Sequence, residues 1–340
     1  MCEFGDMRIG VIGGGSFGTA LAKLLAELDH AVALWIHNPE TARTVAEERE
    51  NTRYLPGFPL PANLAVTNSM ADAVAGADLL LAVSPSHVMR DVMAAARAHV
   101  TGRPYIVSAS KGIEEGTLKR MSEVLAEVFG REFEDRVVAL SGPSFAREVA
   151  AGMPTAVTAA SSSAATAEAV QAVFRAPTFR VYSSTDVAGV ELGGAVKNVI
   201  AIAAGVSDGL GLGSSSRAAL ITRGVAEVVR LVTKLGGQPL TVSGLSGVGD
   251  MVLTCTGDLS RNRTVGVRMG RGERLADILA SMNMVAEGVR NSISVAALAR
   301  HAGVEMPIAE QIRLMLHEDK PARQVVGDLM SRQAKPEFWS

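Results

Sequence analysis

Several side chains stand out because their types and settings could serve a ligand or its chemistry. Lys197 lies in Glu191-Leu192-Gly193-Gly194-Ala195-Val196-Lys197-Asn198-Val199-Ile200-Ala201. On a helix, Gly193, Gly194, Lys197, Ile200 and Ala201 share one face, so the lysine emerges beside residues small enough to admit a cofactor or substrate. Desolvation there would lower its pKa and let it exchange a proton with an alcohol or carbonyl near neutral pH. The plain alternative is a lysine snorkelling to water. Lys111, in Ser108-Ala109-Ser110-Lys111-Gly112, follows a strand-like run and would stand at the carboxyl edge of a parallel sheet, within reach of a bound anion. Read alone it is a loop lysine. Ser141-Gly142-Pro143-Ser144-Phe145-Ala146 repeats that arrangement with small hydroxyls and backbone N–H groups in a turn. Asp250, in Ser246-Gly247-Val248-Gly249-Asp250-Met251, is a carboxylate in a glycine-rich turn and reads equally as a helix cap. In Ser260-Arg261-Asn262-Arg263, two guanidinium forks flank an asparagine, which suits bidentate contact with phosphate oxygens; a solvated basic loop is the other reading. Glu287, in Val285-Ala286-Glu287-Gly288, sits near a turn, and spacing alone assigns it no chemistry.

The glycine pattern is more specific. Gly13-Gly14-Gly15-Ser16-Phe17-Gly18 places Gly13, Gly15 and Gly18 in GxGxxG register between a first strand and its helix. Gly13 permits the tight turn, Gly15 leaves room for a pyrophosphate, and Gly18 lets helix and strand pack closely. The second strand candidate ends Leu34-Trp35-Ile36-His37-Asn38-Pro39, without the carboxylate that would bind the adenosine ribose of NAD. His37 and Asn38 are possible donors to a 2′-phosphate there, which leans the choice between NADP and NAD towards NADPH. His37 reads equally as a solvated loop residue.

The elements that must hold these residues alternate. Strand candidates are Arg8 to Ile12, Ala31 to Trp35, Leu79 to Val83, Tyr105 to Ser108, Val137 to Ser141, Thr155 to Ala159 and Phe179 to Tyr182, most of them separated by helical periodicity. The expected fold class is α/β, an N-terminal Rossmann-like doubly wound sheet followed by an all-helical C-terminal domain. The domains are expected at residues 1–187, binding dinucleotide, and 188–340, helical and carrying substrate binding and catalysis. The Ala/Ser-rich stretch Ala156 to Ala172 is read as structured, because Val170 and Val173 can pack a helix, and Arg217 to Leu235 as a helix stopped by Gly236-Gly237.

With 340 residues, 48% of them hydrophobic, the chain can bury a large core. Its 33 Lys and Arg against 35 Asp and Glu give a net charge of -2, so no general basic field attracts nucleic acid or anionic membrane. Phosphate recognition must then be local. Two cysteines, Cys2 and Cys255, make neither a disulfide framework nor a thiolate metal site, and the histidines show no HExxH spacing. No cationic leader is visible, and no stretch approaches the roughly 18 uninterrupted apolar residues of a membrane span. These features lead to the expectation of a cytoplasmic protein without metal.

The motifs Gly13-x-Gly15-Ser16-Phe17-Gly18-Thr19, Ser110-Lys111-Gly112, Ser141-Gly142-Pro143-Ser144, Gly194-x-x-Lys197-Asn198, Gly249-Asp250-x-x-x-Thr254-Cys255 and Ser260-Arg261-Asn262 occur in one order. In that combination the chain, over about residues 8 to 330, resembles bacterial members of the NAD-dependent glycerol-3-phosphate dehydrogenase family. The resemblance implies NAD(P)H-dependent, reversible reduction of dihydroxyacetone phosphate to sn-glycerol 3-phosphate for phospholipid synthesis, usually by a homodimer. It implies Lys197 as general acid/base, Lys111 as a substrate-positioning cation, and Asp250 orienting Lys197. Ser260, Arg261 and Asn262 would hold the substrate, with Arg261 on its phosphate and near the cofactor, and Gly142 and Ser144 would add contacts. Ser16, Phe17, His37, Lys111, Ala146, Val285 and Glu287 match cofactor-contacting positions. The family commonly has arginine at position 37, and His37 departs from it. Two rival readings are a dehydrogenase of β-hydroxyacids, which would not need Arg261 as a phosphate clamp, and a dinucleotide-sensing protein without turnover, which would not need Lys197, Lys111 and Asp250.

Overall fold

Short aliphatic runs set the sheet of the first unit in the computed structural model, which describes residues 6–282 and 286–337. The described residues form β1 (Arg8–Ile12), β2 (Ala31–Trp35), β3 (Leu64–Thr67), β4 (Leu79–Ala82), β5 (Tyr105–Ser108), β6 (Val137–Ser141), β7 (Thr155–Ala160) and β8 (Phe179–Ser184). Their order across the sheet is β3-β2-β1-β4-β5-β6-β7-β8. The pairings from β3 through β6 are parallel, β6 and β7 pair antiparallel, and β8 runs parallel to β7. β4 and β6 are buried along their whole length, as strands covered on both faces must be. β3 escaped the sequence pattern. It is a four-residue edge strand with one exposed position, and its apolar run, Leu64 to Val66, is only three residues long.

The helices of this unit are α1 (Ser16–Glu27), α2 (Pro39–Glu48), α3 (Met70–Val74), α4 (Met89–Arg97), α5 (Met121–Phe129), α6 (Ala146–Ala150) and α7 (Ala164–Val173). The Ala/Ser-rich stretch resolves into β7 and α7. Ser163 caps α7 by accepting from Thr166 N, and Val170 and Val173 are buried beneath it. β1 lies between β2 and β4, so the sheet order reverses there and the carboxyl end of β1 is a topological switch point.

The second unit is helical: α8 (Val187–Gly209), α9 (Gly213–Lys234), α10 (Pro239–Val242), α11 (Asp250–Thr256), α12 (Arg261–Gly270), α13 (Leu275–Ala280), α14 (Glu287–Ala302), α15 (Pro307–His317) and α16 (Ala322–Met330). The units comprise Met1–Lys111 with Lys119–Val187, and Gly112–Leu118 with Ala188–Ser340. The short Gly112–Leu118 segment joins the second unit through Ile113, which belongs to its helical core. α8 is long and apolar enough to cross a membrane by composition, yet 89% of its apolar window is buried in the fold. It carries Leu192, Val196, Val199 and Ile200 into that core.

α8 and α12 meet backbone to backbone. A Cβ at Gly205 would lie 2.1 Å from Arg263 O, and one at Gly266 would lie 2.0 Å from Ile202 O. This contact holds the start of α12 alongside the middle of α8, the two segments that carry Arg261 and Lys197.

Candidate active site

In the first unit the glycine turn is a cradle made of backbone. Gly13 has φ +129°, and a Cβ there would meet Val83 backbone at 2.9 Å. At Gly18 a Cβ would stand 1.8 Å from Gly13 O, so only glycine lets α1 start this close to β1. Gly15 is the N-cap of α1 with no side-chain cap, and nothing lies within 4 Å of where its Cβ would be. A spacious turn against a helix N-terminus fits a pyrophosphate. Ser16 opens α1 and donates to Tyr54 O at 2.6 Å.

At the end of β2, His37 is exposed, its ring edge-on to Trp35 at 5.6 Å. Asn38, offered by the sequence as a donor, uses its side-chain oxygen to cap α2, accepting from Thr41 N at 2.8 Å, which leaves its amide N–H groups as donors. The proline that follows it explains this: Asn-Pro opens a helix at N-cap and N1.

The carboxyl ends of β5 and β6 bring Lys111, Gly142 and Ser144 together. Lys111 Nζ donates to Gly142 O at 3.0 Å and stands 5.9 Å from the Phe17 ring centroid. Ser144 Oγ donates to the same carbonyl at 3.0 Å. Ala146 begins α6 and packs on the core of the unit. Beneath them the hydroxyls of Ser108 and Ser141 are buried with no hydrogen-bond partner.

In the second unit the catalytic candidates are side chains sealed among apolar residues. Lys197 is 7% exposed; its Nζ donates to Asp250 Oδ1 at 2.7 Å and to Thr254 Oγ1 at 2.7 Å. Thr254 in turn donates to Asp250 O at 2.6 Å, within the first turn of α11. Asp250 is therefore the partner of Lys197 rather than a cap; Gly249 occupies the cap position without side-chain help. Thr254, quoted as part of a motif, received no role from the sequence, because a threonine one turn beyond an aspartate is ordinary in a helix. Gly193 corrects another expectation. Its small size admits the Ser246-Gly247 backbone, whose Ser246 O lies 2.8 Å from where a Cβ would be, and so brings the Asp250 turn onto α8. Cys255, beside this cluster, is pushed up to about 12 by burial, with Lys197 pulling the other way, and so stays a thiol.

The two arginines of the Ser260-Arg261-Asn262-Arg263 run separate. Arg263 pairs with Asp208 at 2.9 Å and with Asp258 at 3.0 Å, and so braces α12 on α8. Arg261, the first residue of α12, keeps exposed surface while crowded enough that desolvation lowers its pKa, against the opposing charge of Glu287. Ser260 caps α12, accepting from Arg263 N at 3.2 Å. Asn262 donates to Asn198 Oδ1 at 2.8 Å and accepts from Gly288 N at 2.9 Å. Its amide therefore ties together the neighbours in sequence of Lys197, Arg261 and Glu287. Glu287 opens α14, half-buried. Val285 lies outside the described residues. Among the described residues no group of His, Cys, Asp and Glu could hold a metal ion.

The family models described as NAD-dependent glycerol-3-phosphate dehydrogenase N-terminus and C-terminus match residues 8–167 and 186–327. The chain belongs to the NAD-dependent glycerol-3-phosphate dehydrogenase family. It is 56% identical to the glycerol-3-phosphate dehydrogenase [NAD(P)+] of Geobacter sulfurreducens, over 98% of this chain and 99% of that one. The relative of the same description in Trichlorobacter lovleyi is 54% identical over 97% and 99%. The crystal structure of glycerol-3-phosphate dehydrogenase from Coxiella burnetii superposes with TM-score 0.92 at 39% identity, covering 96% of this chain and 99% of that one. Membership makes the chain an oxidoreductase that uses NAD or NADP and takes a small phosphorylated substrate.

Proposed function

We propose that the chain reduces dihydroxyacetone phosphate reversibly to sn-glycerol 3-phosphate, with Lys197 as the proton donor and Arg261 as the phosphate clamp. The observation that carries this is the buried Lys197–Asp250–Thr254 cluster, linked by the Asn198–Asn262 bond to the helix start that bears Arg261. Gly13, Gly15, Gly18, Ser16 and Phe17 would hold the dinucleotide. When bound, the nicotinamide supplies the hydride for C2 of the substrate. Lys197, as ammonium, polarises the C2 oxygen and delivers its proton there; in the other direction it accepts that proton. Asp250 and Thr254 fix Nζ in one position, so proton transfer needs no rearrangement. The Arg261 fork takes phosphate oxygens at the positive end of α12. Lys111 adds a cation that opposes negative charge developing on the substrate, and Gly142 and Ser144 supply polar contacts beside it. By the family resemblance Glu287 would contact the cofactor, as would Val285, which lies outside the described residues.

The absence of a carboxylate at the end of β2 favours NADPH, with His37 beside its 2′-phosphate. The family resemblance further supports a cytoplasmic homodimer that supplies glycerol 3-phosphate for phospholipid synthesis. NADH and NADPH oxidation measured with dihydroxyacetone phosphate and, separately, with β-keto acids tests the activity. Turnover with dihydroxyacetone phosphate alone is expected; preference for a β-keto acid, or no turnover with any of them, would overturn it.

A further inference from the structure

Asn51 lies outside every glycine and lysine motif, between α2 and β3, yet its side chain is wholly buried. Its Nδ2 donates to Gly14 O at 3.0 Å and to Thr19 Oγ1 at 2.8 Å, and its Oδ1 accepts from Tyr54 N at 3.3 Å. One amide thus holds the middle of the glycine turn, the first turn of α1 and the chain that passes beside them. Tyr54 closes the loop: its carbonyl takes the Ser16 hydroxyl at 2.6 Å.

The segment that presents Asn51 is itself pinned at many points. Arg49 O accepts from Leu60 N at 2.7 Å, the Arg49 guanidinium donates to Leu64 O at 2.9 Å, and Glu50 bridges to Pro59. The Glu50 carboxylate accepts from Gly57 N at 2.8 Å. Leu55 and Leu60 are buried in the core of the first unit. Arg147 of α6 reaches Pro56 O at 3.3 Å and lies over the Phe58 ring at 5.3 Å. A strap fastened this way presents the amide from a fixed place, which a flexible loop could not do.

We propose that Asn51 is a positioning residue for dinucleotide binding, fixing the glycine turn in its open form before the cofactor arrives. The proposal rests on the reading of Gly13 to Gly18 as the pyrophosphate cradle. The physical reason is that a turn of three successive glycines loses more conformational freedom on ordering than any other sequence. If Asn51 did not hold Gly14 O and Thr19, that loss would fall on cofactor binding and weaken it. Asn51 touches neither a reacting atom nor, through its side chain, the space beside Gly15, so the chemical step should be indifferent to it.

The test compares full-length wild type with Asn51→Ala and Thr19→Val, reading NADH and NADPH dissociation constants by fluorescence, melting temperature, and KM and kcat with dihydroxyacetone phosphate. Asn51→Ala should raise the dissociation constant and KM of both cofactors by roughly tenfold, as expected for losing the bonds to Gly14 O and Thr19 Oγ1 that hold the turn, along with the bond from Tyr54 N. At saturating cofactor, kcat and the KM for dihydroxyacetone phosphate should stay within about twofold of wild type. Thr19→Val removes one of the bonds with little change of shape and should move the same constants by about threefold. Loss confined to kcat, or to melting temperature with cofactor affinity unchanged, would overturn the proposal. Should Asn51→Ala fail to fold, unchanged cofactor affinity in Thr19→Val would overturn it equally. Wild type that binds neither cofactor would instead sink the cradle reading itself.

Discussion

The two units put chemistry in place by opposite means. In the first, the proposed cofactor cradle is backbone: glycines remove side chains, and helix α1 offers its N-terminal N–H groups. In the second, the proposed groups are charged side chains: Lys197 and Asp250 are buried and tolerable only as a pair, while Arg261 keeps exposed surface. At Gly15, where a Cβ meets nothing, the backbone site should therefore fail by added bulk while the fold survives. A buried-charge site should fail in activity and stability together.

The largest effect is expected at Lys197. Lys197→Met should lower kcat by roughly 10²- to 10⁴-fold, the range for a lost general acid, with NADPH binding retained. It also leaves Asp250 buried without its cation, so the melting temperature should fall too. Near-normal kcat in stopped assays would remove Lys197 from the chemistry.

Next is a pH effect particular to the second unit. Glu227 of α9 caps α15, accepting from Ile308 N at 2.7 Å and Ala309 N at 3.2 Å, yet burial pushes its carboxyl up to about 7, overcoming the pull of those donors. A carboxyl raised in the folded state favours folding fully below its ordinary value of 4.5 and loses that contribution as pH rises through about 7. Stability should fall between about pH 4.5 and 7 by roughly 3 kcal/mol at most, and Glu227→Gln should flatten that slope in urea titrations. An unchanged slope would show that Glu227 stays ionised on its two donors.

In the first unit, Gly15→Ala is the informative change. Gly15 has φ -75°, and nothing lies near its Cβ position, so melting should hardly move. Cofactor KM should nevertheless rise on the order of tenfold, because the methyl occupies the space meant for pyrophosphate. Equal loss of stability would mean the cradle reading is wrong. The smallest effect is at position 37. Wild type should use NADPH at least as well as NADH, and His37→Asp should move the ratio of kcat/KM values several-fold towards NADH, since a carboxylate repels a 2′-phosphate. A strong wild-type preference for NADH would contradict this.

The same contrast governs what the sequence could disclose. Backbone sites are written as local spacing, so the glycine turn and strands with continuous apolar runs, such as β4 and β6, could be read directly, whereas the run in β3 is only Leu64 to Val66. Side-chain sites depend on partners far apart in the chain. Lys197 meets Asp250 across 53 residues and Thr254 across 57, and Asn262 meets Asn198 across 64. Spacing offered those residues singly, with caps and loops as equal alternatives. It left Asn51 unmarked, because a lone asparagine after a helix is ordinary. By residue type and spacing Arg261 and Arg263 are equivalent; in the structure the Asp208 and Asp258 carboxylates that hold Arg263 set them apart.

That distinction allows the most direct test of the central claim, that one guanidinium holds the phosphate while Lys197 works on C2. The measurement is kcat/KM of Arg261→Ala and wild type on dihydroxyacetone phosphate and on dihydroxyacetone. Arg261→Ala should lose a few kcal/mol on the phosphorylated substrate, about one or two charged hydrogen bonds, and much less on dihydroxyacetone, which has no phosphate to clamp. Arg261→Lys should restore only part, because an ammonium lacks the planar fork. Equal factors lost on both substrates would assign Arg261 to the cofactor or the fold, and would contradict the account of a phosphate-bearing substrate held at the start of α12.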